Sequence, residues 1–118
     1  MTTYEVINVS EWNAVEEIFA NDEEIILDYE GSGLNTYHEN YYVGGLALKG
    51  RTSKRCVYVW LYDFWRTPKE FEVSAKLKAK IGLWLLSKKL IVFNFQYEGG
   101  ASLTYFKVYL RDVTDIML

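Results

Sequence analysis

The stretch Cys56-Val-Tyr-Val-Trp-Leu-Tyr-Asp-Phe-Trp65 sets the reading of the whole chain. β-branched and aromatic residues dominate it, and its side chains sort by parity. Val57, Val59 and Leu61 fall on one face, and Tyr58, Trp60, Tyr62 and Phe64 on the other. A strand that is apolar on both faces belongs in the middle of a sheet, covered on both sides or covered on one and offering an aromatic surface on the other.

Just upstream, Gly50-Arg-Thr-Ser-Lys-Arg55 reads as a basic turn, and residues 41–49 read as the antiparallel partner strand, with Gly44-Gly45 marking a bulge or a close backbone approach. Further back, Tyr4–Val9 reads as a strand and Ser10 as a helix cap. Trp12, Val15, Ile18 and Phe19 then recur at helical spacing over 11–20, and Glu24–Tyr29 is a second strand. This β-α-β opening resembles the first elements of a thioredoxin domain as far as Asp28. Tyr29-Glu-Gly-Ser32 stands where that family carries its paired cysteines, so the resemblance implies no redox chemistry. Residues 31–40 read as a loop.

Downstream, Thr67-Pro-Lys-Glu70 has the form of a helix start, yet the alternation from Phe71 to Leu83 has a strand period. The compromise is an extended piece near 70–74 and a helix over 75–88. Leu90–Tyr97 and Ser102–Arg111 read as two strands of a hairpin joined by Glu98-Gly-Gly-Ala101. These elements predict an α+β fold: an antiparallel sheet of five or six strands with one or two helices packed on one face.

The chain has 118 residues, 50% hydrophobic and 25% charged, which predicts one ordered domain over 1–118. A single cysteine, Cys56, and a single histidine, His38, exclude both an intramolecular disulfide and a Cys/His metal cluster. With no apolar run of membrane-spanning length and no signal-like start, a cytoplasmic location is expected.

The net charge of −3 hides a division. Residues 1–48 hold ten acidic side chains and no Lys or Arg, while residues 49–118 hold all 13 basic side chains and the remaining six acidic ones, so the halves carry −10 and +7. Such halves either fold against each other and neutralise, or present surfaces of one sign.

The chemical inventory is thin. His38 sits alone in a loop beside Glu39, and Cys56 reads as a small core hydrophobe. No phosphate loop, zinc-protease pair or calcium loop is present. Carboxylates at Asp22, Glu23 and Glu24, and at Asp28 and Glu30, have the donor type for a hard cation, but acidic turns seldom bind one without three converging oxygens. No catalytic residue, cofactor or metal is therefore expected, and the leading expectation is a non-catalytic, inhibitor-like protein of phage or mobile-element type. Glu16, Glu17, Asp22, Glu23 and Glu24 would face a basic site on a partner protein, with Tyr37, Tyr41 and Tyr42 as anchors. One alternative is single-stranded nucleic-acid binding on a strand face made of Tyr105, Lys107, Tyr109 and Arg111. Another is a self-assembling structural subunit.

Overall fold

A computed structural model describes residues 4–33, 35–38, 41–61 and 73–116. In chain order its strands are β1 (Tyr4–Asn8), β2 (Glu24–Gly31), β3 (Val43–Gly50), β4 (Cys56–Trp60), β5 (Lys89–Val92) and β6 (Val113–Asp115). Its α-helices are α1 (Trp12–Ile18), α2 (Ala75–Leu86) and α3 (Phe95–Tyr105), and a short 3-10 turn over Val9–Glu11 leads into α1.

The strands lie in the order β1-β4-β3-β2-β5-β6. β2, β3 and β4 form an antiparallel meander, whereas β1 runs parallel to β4, β5 parallel to β2, and β6 parallel to β5. This mixed sheet with three helices corrects the antiparallel α+β expectation, and it is an α/β fold. Each parallel join needs a crossover, which α1, α2 and α3 supply. The opening β1, α1, β2 follows in the expected order, with β1 and β2 separated by two strands in the sheet.

Period-2 alternation along β2 buries Ile25, Leu27 and Tyr29 and turns Asp28 and Glu30 outward. The buried side chains join Leu46, Leu48, Val57 and Val59 in one core with Trp12 and Val15 of α1, Ile81, Trp84 and Leu85 of α2, and Ala101 and Tyr105 of α3. Trp12 and Trp84 meet edge to face at 5.3 Å, locking α1 to α2. Ser74 caps α2 by accepting from the Leu77 amide at 3.2 Å.

The expected hairpin over 90–111 is instead β5, helix α3, and an extended return to β6. Glu98, Ala101, Ser102 and Tyr105 are buried at helical spacing, and Gly99-Gly100 lies inside the helix rather than in a turn. At Gly100 a Cβ would stand 2.2 Å from Thr36 Oγ1, so the glycine serves close packing of the 35–38 segment on α3. The helix expected over 75–88 is α2. The stretch read as the central strand is β4, one place in from the edge, while β3 and β2 hold the middle of the sheet. Residues 62–65 of that stretch, the helix start at Thr67–Glu70 and most of the extended piece near 70–74 lie outside the described residues.

Tyr29 Oη and Ser102 Oγ share a buried 2.6 Å hydrogen bond that ties β2 to α3. Tyr29→Phe or Ser102→Ala leaves a polar group buried without its partner and is expected to cost about 1–3 kcal/mol in urea unfolding. The double variant should cost less than the sum of the two, and strictly additive losses would show that the bond does not couple the two elements.

Candidate functional site

β2 is paired with β3 over Ile25–Gly31, but with β5 only over Glu24–Ile26. Past Ile26 its β5 side has no strand partner among the described residues, because β5 ends at Val92 and the chain turns into α3. The site lies there, beyond the carboxyl end of β5 where parallel neighbours part, which is where open α/β sheets characteristically hold ligands.

Glu98 enters this gap from the first turns of α3. It is only 3% exposed, and its Oε2 has no hydrogen-bond partner. Burial, joined by the negative charge of Asp28, pushes its carboxyl up to about 7 from 4.5, while hydrogen bonds to the backbone of Glu98 itself, Tyr29 and Asn94 pull the other way. Asp28 and Glu30 sit two residues apart on the outward face of β2, and Asp28 is near enough to Glu98 for its charge to act on that carboxyl.

Glu30 is held from across the sheet, where the Tyr58 hydroxyl donates to its Oε2 at 2.6 Å. Burial, then the hydrogen bond to Glu30 and its charge, raise the Tyr58 phenol above its ordinary value. The strand end is walled by two more tyrosines. Tyr41 Oη donates to Tyr97 Oη at 2.9 Å, and Tyr97 Oη to the Gly33 carbonyl at 3.2 Å. Both lie over Gly31, where a Cβ would come within 2.1 Å of the Tyr41 hydroxyl. Of the stretch read as a loop over 31–40, Gly33 and Thr36 are thus held against α3, through Tyr97 and Gly100, and Tyr41 beside it bonds Tyr97.

The residues expected to bind a protein partner are dispersed. Glu16 pairs with Lys80 at 3.5 Å and Glu24 with Arg51 at 3.7 Å, and Glu5 makes a 2.6 Å contact with Arg55. The acidic half is therefore neutralised in part by the basic half. Asp22 is 1% exposed and accepts from the Thr52 and Ser53 amides at 2.8 and 2.9 Å, clamping the basic turn. Glu17 and Glu23 are exposed, Tyr37 is exposed, Tyr41 is buried and Tyr42 lies between.

Tyr105, Lys107, Tyr109 and Arg111 share no strand face. Tyr105 ends α3 in the core, Lys107 takes a left-handed conformation at φ 60°, and Tyr109 and Arg111 lie in the extended return. Of the site proper, Asp28 and Glu30 were legible as a cation-type pair. Glu98 falls in the expected hairpin loop and Tyr58 on the aromatic face of the central strand, although the spacing Glu98, Ala101, Ser102, Tyr105 carries a helical signal.

No protein-family model matches the chain, and no curated protein matches it in sequence. Solved structures do match in fold. Trypanosoma brucei RNase D in complex with RNA U12 superposes with a TM-score of 0.72 at 11% identity, over 98% of this chain and 38% of that one. The Aedes aegypti Nibbler EXO domain gives 0.68 at 9%, over 96% and 52%. The EXD2 exonuclease domain soaked in Mg and GMP gives 0.62 at 13%, over 97% and 56%. The chain thus spans less than two thirds of each of these neighbours, and its fold resembles the DEDD exonuclease fold.

These neighbours overturn the expectation of a non-catalytic, inhibitor-like protein acting on a protein partner. They are nuclease domains, and none supports a protein-binding role or the classing of the chain as a non-enzyme.

The raised Glu98 carboxyl has a consequence for stability in the metal-free protein. The unfolded chain releases this proton near 4.5 and the folded chain near 7, so the folded state binds more protons across that interval. The contribution is complete below about 4.5 and is lost as pH rises through about 7. Glu98→Gln should flatten the pH dependence of urea unfolding between these limits, and an unchanged slope would show that Glu98 does not titrate this way.

Proposed function

We propose that this domain hydrolyses phosphodiester bonds in nucleic acid, with RNA as the first candidate substrate and Asp28, Glu30 and Glu98 as the residues that would hold a divalent cation. The observation that carries the reading is the buried Glu98 carboxylate, with one oxygen unpartnered and a second carboxylate, Asp28, beside it. A buried carboxylate beside a second negative charge is costly unless a proton or a cation relieves it.

The donor set fits a hard cation in kind, being made of carboxylate oxygens alone. Among the described residues no three His, Cys, Asp or Glu side chains stand close enough to enclose an ion, so binding requires at least one carboxylate to turn inward. A bound divalent cation would supply an activated water at neutral pH and offset charge on the scissile phosphate. The protein's share is orientation. Tyr58 fixes one oxygen of Glu30, α3 carries Glu98 to the strand end, and the Tyr41–Tyr97 pair closes one side. Support for nucleic acid as the substrate comes from the neighbours, one complexed with RNA and another soaked with Mg and GMP.

The test is cleavage of a labelled single-stranded RNA with Mg²⁺ or Mn²⁺, followed on denaturing gels. Asp28→Asn and Glu98→Gln should each lower the rate by at least the roughly 10–100-fold that loss of an outer-shell metal partner costs. Mn²⁺ should also raise the melting temperature of the wild type and not of these variants. RNA and DNA left intact by folded protein with either metal would sink the reading.

A further inference from the structure

We propose that a cavity on the outer face of α3 holds an unstacked nucleobase of a single nucleic-acid strand, with Tyr37 and Tyr109 as its stacking rings. The inference rests on the nucleic-acid reading above but not on its cation. Positions 98, 101, 102 and 105 of α3 are buried toward the core, whereas 95, 96, 99 and 103 recur on the opposite face and line a cavity of about 440 Å³. That volume falls within the roughly 300–1,000 Å³ of small-molecule clefts. It suits one ring system rather than the broad face, about 800 Å² a side, that a stable protein partner covers. Because the cavity lies on the side of α3 turned away from β2, a base held there belongs to a different nucleotide from one placed at Glu98.

The double glycine that reads as a turn in the sequence is what shapes the cavity. A Cβ at Gly99 would meet the Phe95 ring at 3.1 Å, and one at Gly100 would stand 3.4 Å from Tyr37 Cζ. Both rings can therefore lie against bare helix backbone, where larger residues would crowd them. Tyr109 and Leu110 reach the same cavity from the extended return. Tyr37 and Tyr109, 67% and 69% exposed, are thus brought to one place from segments distant in sequence. Two phenol rings left in water beside an apolar cavity offer stacking faces to a planar ligand.

The polar groups decide which kind of ring. Asn94 stands at the N-cap of α3 but its side chain makes no capping bond, and the Phe95 amide donates to Asp115 of β6 at 2.9 Å. The Asn94 carboxamide therefore borders the cavity with a donor and an acceptor in one plane, and the exposed Gln96 adds a second such group. Paired donors and acceptors of this kind match the edge of a base, as Asn and Gln do with adenine. Among the described residues that line the cavity Asp115 is the one charged side chain, and there is no Lys or Arg to take a phosphate. The neutral base is then the part of a nucleotide that enters, and the phosphates stay outside.

The test is binding of a fluorescein-labelled single-stranded RNA of about ten nucleotides, within the site sizes of single-strand binders. It is read by fluorescence anisotropy in EDTA, so that neither metal nor cleavage contributes. Tyr37→Ala and Tyr109→Ala should each weaken binding by roughly 5- to 100-fold, the loss that follows removal of one stacking ring, while Tyr37→Phe and Tyr109→Phe keep wild-type affinity. Both rings are exposed, so the melting temperatures of the alanine variants should stay near that of the wild type. An abasic strand of the same length, which keeps the phosphates and lacks the bases, should bind the wild type no better than the alanine variants bind RNA. Wild-type affinity in either alanine variant, equal losses in the phenylalanine variants, an abasic strand bound as tightly as RNA, or no binding of the RNA would each overturn the inference. A wild type that binds RNA through the two tyrosines but leaves it intact with Mg²⁺ or Mn²⁺ sinks only the hydrolysis reading. One that cleaves RNA while the alanine variants bind it as the wild type does sinks only the base site.

Discussion

Strand β2 is paired along nearly its whole length by β3 but only as far as Ile26 by β5, and this unequal pairing is the constraint on which the site depends. A backbone edge left inside a folded domain needs polar partners. Here the neighbouring element changes from strand to helix, and Glu98 comes from that helix to the vicinity of the Tyr29 backbone. The same change of element brings Asp28 and Glu98 near each other. Strand pairing, helix start and electrostatics are therefore one arrangement seen at three scales.

What the sequence made legible follows how local each signal was. β2, β3 and β4 follow from alternation within a few residues and α2 from the helix propensity of 75–88, so all four exist where the residues indicate, although β4 lies one place in from the edge and not at the centre. Glu98-Gly-Gly-Ala101 was misread because double glycine is a turn signal in isolation, while here Gly100 is required by Thr36, more than sixty positions earlier in the chain. Parallel pairing was invisible for the same reason, since nothing near Tyr4 or Lys89 specifies that each will lie beside a strand distant in sequence.

The candidate site was half legible. Asp28 and Glu30 share a face by parity alone, and their donor type was apparent. Glu98 lay in a segment assigned the wrong period, and so its approach to Asp28 could not be seen. The acidic half drew attention to itself by its charge, yet Glu5, Glu16 and Glu24 are answered by Arg55, Lys80 and Arg51 from the basic half. A charge division along a sequence is evidence about a surface only after the two halves have been folded together.

The parallel pairing of β1 with β4 has a consequence for the order in which the domain can assemble. Residues Tyr4–Asn8 leave the ribosome well before the strand they lie against, Cys56–Trp60, which follows some fifty residues later, and the Trp84 ring that covers Trp12 comes later still. The β2-β3-β4 meander is built from sequence neighbours and can close early, whereas loop-closure entropy delays contacts between distant segments. β1 is then among the last elements to dock. Until β1 docks, β4 offers an unpaired edge, and Val15 and Phe19 have no core to enter, so the nascent domain has a sticky side that β1 and α1 must eventually cover.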